Sequence, residues 1–165
     1  MIYDRPVRTL LPLLALPIFL AGCVNTDPSV FVDASLERAS GAVQGGALGA
    51  TVEGELVLKL HLGPRASGPS QVGLGAFAIL DAGQKAAITS IVLGTSATKF
   101  PVTVDLDSDV TAALPYTLGS KTVPAETRAK LCDAAGVVFR GTIQDSLLGG
   151  STPFFSAVVH PTGCM

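Results

Sequence analysis

Polar and apolar residues alternate along most of the chain. In TVEGELVLKLHL, Val52, Leu56, Leu58, Leu60 and Leu62 share one side of a two-residue period, and Glu53, Glu55, Lys59 and His61 share the other. A strand with that pattern buries one face and wets the other. FPVTVDLDSDVTAAL repeats it, with Phe100, Val102, Val104 and Leu106 opposed to Thr103, Asp105 and Asp107. VGLGAFAIL (72–80) and AAITSIVL (86–93) are apolar on both faces, which predicts strands well inside a sheet. The DAGQK between them, with glycine at a turn position, predicts a hairpin. VVFRGTIQ (137–144) and PFFSAVVH (153–160) read as later strands, and SVFVDASLE as the opening one.

The runs SGAVQGGALGA, GPRASGPSQ and LLGGSTP separate these segments and read as turns and loops, since no stretch between them is long enough to bury a core alone. One segment departs from strand periodicity. In VPAETRAKLCDAAG, Pro124 suits a first helical turn, Glu126 the positive end of a helix and Lys130 the negative end, with Gly136 as a stop. The expected fold is all-β: an antiparallel β-sandwich of immunoglobulin-like architecture with one short helix near residues 124–134. The tryptophan and paired cysteines of a true immunoglobulin domain are absent, so only the architecture is expected.

Composition adds limits. At 165 residues there is room for one domain, and 48% hydrophobic against 15% charged residues excludes disorder and coiled coils. Eighteen glycines and eleven prolines without a period favour a loop-rich β-fold. A net charge of −2 with no basic run argues against a nucleic-acid partner, because phosphate binding needs clustered Lys and Arg.

The first residues are organised differently. Arg5 and Arg8 precede an apolar run from Leu10 to Gly22 that is broken by Pro12 and Pro17. It is shorter than the roughly 20 residues a membrane-spanning helix needs and has the layout of a secretory signal. The run ends in Leu20-Ala21-Gly22-Cys23, which resembles the lipobox of bacterial lipoproteins: a leucine, two small residues and an obligatory cysteine. The resemblance implies lipid transfer to the Cys23 sulfur, cleavage between Gly22 and Cys23, and acylation of the new amino terminus. Two or more acyl chains hold a protein stably on a membrane without crossing it. Val24 stands where an aspartate would signal inner-membrane retention in Gram-negative members of the class, so for a Gram-negative host the resemblance implies the outer membrane, facing the periplasm or the outside. The expected layout is a signal peptide over 1–22, a lipidated tether over 23–29 and one β-domain over 30–165. The tether VNTDPS spans at most about 20 Å, so envelope partners are expected near the same membrane.

With Cys23 lipidated, two cysteines remain, and an oxidising compartment favours a Cys132–Cys164 disulfide. No cofactor is expected apart from the lipid on Cys23. Asp105, Asp107 and Asp109 are the candidates for a metal. They resemble the start of a calcium loop, but Val110 and Tyr116 stand where its glycine and glutamate belong. His61 and His160 are about a hundred residues apart, with no zinc-type spacing around them and no nucleophile elbow in the chain. Glu53 and Glu55 project from one strand face, as solvent-facing residues do. Phe154 and Phe155 are neighbours and point to opposite faces of a strand, one to the core and one outward. The leading expectation is a non-enzymatic, lipid-anchored domain for binding, assembly or surface interaction. A hydrolase with a loop-built site around His61 or His160, and a binder of small apolar ligands between its sheets, remain alternatives.

Overall fold

The strand TVEGELVLKLHL buries the face its pattern predicts. In the computed structural model, which describes residues 27–46, 49–118 and 122–164, Leu56, Leu58, Leu60 and Leu62 are fully buried in β2 (Gly49–Leu62). Its partners are β1 (Asp33–Gly46) and β6 (Ser108–Leu118), both antiparallel. Rows such as Leu36–Leu58–Ala112 and Ala39–Leu56–Leu114 run across the three strands. The remaining strands are β3 (Ser70–Asp81), β4 (Ala87–Leu93), β5 (Val102–Val104), β7 (Val137–Asp145) and β8 (Gly150–Phe155), with the helix α1 at Ala125–Leu131. The fold is therefore mostly β and antiparallel with one short helix.

All eight strands belong to one hydrogen-bonded sheet, in the order β1-β2-β6-β4-β3-β7-β8, with β5 beside β3. The continuity depends on β4. Its first half, from Ala87 to Ser90, pairs with β3, while Ile91, Val92 and Leu93 pair with β6. A strand that changes neighbours midway turns a corner, and the sheet curls there so that its inner faces close on one core. The segment after β8 draws the edges together. Val159 exchanges backbone bonds of 2.8 Å with Val137, and further on Val43 donates to the Thr162 carbonyl at 2.8 Å. Cys164, two residues later, stands at disulfide distance from Cys132, with Cα atoms 5.3 Å apart.

Glycine explains the largest departure from the expected elements. SGAVQGG, read as loop, is the second half of β1. Gly41, Gly54 and Tyr116 are opposite one another on β1, β2 and β6, and the tyrosine ring lies over both glycines. A Cβ at Gly41 would stand 2.7 Å from the Tyr116 hydroxyl oxygen, so the missing side chains make room for the ring. That hydroxyl donates to the Ser40 carbonyl at 3.0 Å, and the ring meets Phe139 edge-on at 5.4 Å. The other half of the sheet repeats the device. Gly141 pairs with both Phe77 and Phe154, whose rings meet edge-on at 5.8 Å above it.

Bulges account for the next difference. Register shifts between Leu36 and Arg38, and between Leu74 and Phe77, reverse which parity faces inward. VGLGAFAIL looked apolar on both faces for this reason: Val72 points in before the bulge, and Phe77 and Ile79 point in after it. The DAGQK hairpin is present, closed by Lys85 N–H on Asp81 Oδ1 at 2.9 Å, but its left-handed position is Gln84 rather than the glycine.

Three segments need correction. FPVTVDLDSDVTAAL is two strands, β5 and β6, separated by a turn in which Asp107 is left-handed and Leu106 is exposed, so Leu106 does not share the buried face of Val104. β8 begins at Gly150, inside the LLGGSTP read as loop, and ends at Phe155, since the Ser156 side chain accepts the Phe139 N–H and the chain then leaves the ladder. The helix stops at Leu131, not 134, because Asp133 binds the Ala135 N–H at 2.8 Å and starts a turn that ends at Gly136, with φ of 78°.

Candidate functional site

The alternation that buries the leucines of β2 puts Lys59 and His61 on its outer face. His61 is directly opposite Asp109 of β6 and Asp33 of β1. Asp109 binds Lys59 Nζ at 2.9 Å through one oxygen and His61 Nδ1 at 2.7 Å through the other. The second ring nitrogen, Nε2, meets Asp27 Oδ2 at 2.6 Å. Asp27 also accepts the Ser29 N–H at 2.9 Å, an Asx turn at the Asp-Pro-Ser sequence. The result is a chain of alternating charge, Lys59–Asp109–His61–Asp27. The hydrogen bonds the ring donates to Asp27 and then to Asp109 raise the His61 pKa. His61 lowers Asp27 to about 2, chiefly through the same bond, and Lys59 followed by His61 lowers Asp109. With carboxylates on both nitrogens, the imidazolium is the favoured form and neither nitrogen is free to take a proton from a hydroxyl.

A second carboxylate holds the same end from inside. Asp145, at the end of β7, is 2% exposed. Its oxygens accept the Val32 N–H at 2.8 Å, the Ser70 hydroxyl and the Leu147 N–H at 2.8 Å. Burial pushes its pKa up, but the bonds from Ser70, Val32 and Leu147 outweigh that and hold it below the ordinary value. The chain entering the domain is thus fastened twice, at Asp27 from the surface and at Val32 from the interior. Asp27, expected in the tether, is bonded onto the domain, and Ser29 is bonded to Asp27.

The other expected site residues are dispersed. Gly22 and Cys23 lie outside the described residues. Cys132 and Cys164 are at the opposite end of the sheet, beside α1. The three aspartates of DLDSD do not converge: Asp105 offers its carbonyl to Ser108, Asp107 forms the turn, and Asp109 is engaged by Lys59 and His61. Among the described residues no group of three or more His, Cys, Asp or Glu is placed to hold a metal, because Asp27 and Asp109 address opposite nitrogens of one ring. Glu55 pairs with Arg38, and Glu53 accepts from Gln44, both on the wet face. Phe154 is buried and Phe155 is 40% exposed, on opposite faces as the spacing predicts.

Two surface depressions adjoin these features. One, of about 540 Å³, is lined by Gln71, Gln144, Asp145, Ser146 and Ser151 beside the buried carboxylate. The other, of about 420 Å³, brings His160 and Thr162 alongside Ser40 and Glu53. Sequence reading missed Asp27 as the partner of His61, and Ser70 and Asp145 as a pair. The Asp-Pro-Ser turn signal was legible for Asp27, whereas the Val32–Asp145 bond joins residues 113 positions apart. Comparison with known protein families, with curated proteins and with solved structures finds no match for this chain.

Proposed function

We propose that the chain is a lipid-anchored envelope protein whose domain works by binding or assembly at a membrane surface and not by catalysis. The observation that supports it best is how near the lipobox-like cysteine stands to a fixed point on the domain. Cys23 is four residues before Asp27, a span of at most about 14 Å, and Asp27 is bonded to His61. Such a layout serves a protein held close to a bilayer, with the outer membrane as its address and nearby envelope proteins as its partners. In architecture we read the curled sheet as a sandwich of immunoglobulin-like outline whose two layers are joined at β4.

Metabolic labelling with a palmitate analogue tests the anchor. The native chain is expected to take up label and fractionate with membranes, and Cys23→Ser to lose both. A native chain that stays unlabelled and soluble overturns the reading. A second reading, a hydrolase, draws on the depression where His160 stands with Glu53 and Ser40. A panel of ester and amide substrates, compared between the native protein and His160→Ala, decides it: turnover that depends on His160 supports an enzyme, and its absence supports the binding reading.

A further inference from the structure

Seven large apolar residues are exposed among the described residues, and four of them collect where the chain enters the domain. Val30 and Phe31, 43% and 44% exposed, lie between Asp27 on His61 and Val32 on Asp145. Leu148 is in the turn after β7, whose Leu147 N–H is held by Asp145. Leu106 is in the turn between β5 and β6, flanked by Val104 opposite Ser70 and by Asp109 opposite His61. The bonds around Asp145 and His61 therefore hold all four near one end of the sheet. The other three are elsewhere: Val92 opposite Thr117, Phe155 opposite Arg140, and Val158 against Gly136.

We propose that this end of the domain rests on the lipid bilayer, with Val30, Phe31, Leu106 and Leu148 entering its interfacial region. The inference builds on the lipid anchor at Cys23 and adds an orientation to it. A strand as long as β2 extends about 45 Å, while Cys23 allows Asp27 to stand at most about 14 Å from the lipid. The opposite end, with α1 and the Cys132–Cys164 pair, is thereby carried away from the membrane. Apolar contact, not charge, is the means. Asp105 and Asp107 flank Leu106, Lys59 is already paired with Asp109, and Arg65 stands singly in the loop after β2, so among the described residues this surface has no basic cluster to seek anionic headgroups. The turns bearing Leu106 and Leu148 and the strap bearing Phe31 act as separate apolar tips around the anchor point.

The full-length protein, purified from membranes and reconstituted in phosphatidylethanolamine and phosphatidylglycerol vesicles, provides the test. Phe31→Cys, Leu106→Cys and Leu148→Cys variants carry an environment-sensitive fluorophore, and Val92→Cys and Val158→Cys serve as controls. Lipids spin-labelled near the headgroup are expected to quench the first three severalfold more than the controls, with little change when phosphatidylglycerol is replaced by phosphatidylcholine. A photoreactive lipid added to the unsubstituted protein is expected to mark peptides containing residues 30–31, 106 and 148, which removes dependence on the variants' folding. Vesicle-bound protein with equal quenching at all five sites, or with marks elsewhere, overturns the orientation and leaves the anchor standing. Protein that carries no lipid and does not float with vesicles overturns both.

Discussion

The two ends of the sheet are held by different chemistry. Where the chain enters, the fastening is polar: Asp145 gathers donors from three segments, and His61 is held between Asp27 and Asp109. Where the chain finishes, it is apolar and covalent in kind. Leu131 of α1 is fully buried, Cys132 and Cys164 stand at disulfide distance, and the final segment adds backbone bonds to β7 and β1. An extended entering segment has few side chains to bury, so hydrogen bonds to carboxylates fix it with the least chain. A helix has an apolar stripe and docks by burial. The comparison predicts that one of these ends responds to protons and the other to reductant.

The largest expected effect comes from removing the buried acceptor. Asp145→Ala strands the Val32 and Leu147 N–H groups and leaves the Ser70 hydroxyl only Ser146, and a loss of about 3–5 kcal/mol is expected in urea unfolding. Asp145→Asn, which keeps one acceptor oxygen, is expected to lose less. Reduction of the Cys132–Cys164 pair, or its replacement by serine, comes next at about 3–4 kcal/mol for a closed loop of this length. Mass spectrometry with and without reductant checks the pairing, and two alkylatable thiols in the native protein would break the contrast between the ends. If the reduced protein loses more than Asp145→Ala, the finishing end carries the greater share of stability.

Gly54→Ala probes the middle of the sheet, where an added methyl group meets the Tyr116 ring and the Ser40 carbonyl. Overpacking of about 1–3 kcal/mol is expected, read as a lower melting temperature with Tyr116 fluorescence changed. The smallest effect is the pH dependence of the entering end. The His61 pKa is raised from 6.5, so its contribution is complete below about that value and is lost as pH rises through the raised one. The Asp27 and Asp109 pKa values are lowered from 3.8, so their contributions are present above that value and are lost on acidification, for Asp27 at about 2. Asp33, opposite His61, and Lys59, on which Glu37 also acts, share this surface. Docking of the entering segment is therefore tightest between about pH 4 and 6.5. Proton NMR titration of the His61 ring, native against Asp27→Asn, is expected to show a lower pKa in the variant. An unchanged pKa would detach Asp27 from the fastening.

Much of the sheet was legible because strands announce themselves by period. β2 needed only its alternating leucines, and β7 lies where VVFRGTIQ predicts it, extended by one residue. The second half of β1 was hidden because Gly41, Gly45 and Gly46 carry no polarity signal, and the use of Gly41 appears only when Tyr116 arrives from β6. The bulge in β3 blurred its faces for a related reason: one extra residue reverses parity, and a pattern read along one strand does not show what its neighbours skip. The candidate site was less legible still. His61 was visible as a wet residue on β2, but Asp27 and Asp109 reach it from other segments.

Local pattern by itself determined the strand character of the chain and the neighbourhood of its helix, and it is the source of the expectation carried by the lipobox-like Leu20-Ala21-Gly22-Cys23. Each depends on residues a few positions apart, where side-chain direction follows directly from backbone geometry. Tertiary structure alone decided which glycines give way to aromatic rings, that β4 joins the two halves of the sheet, and that Asp27 and Val32 are held at the domain's entering end. Those outcomes depend on strand register and on bulges, which bring together residues as far apart as Val32 and Asp145 once the core has closed.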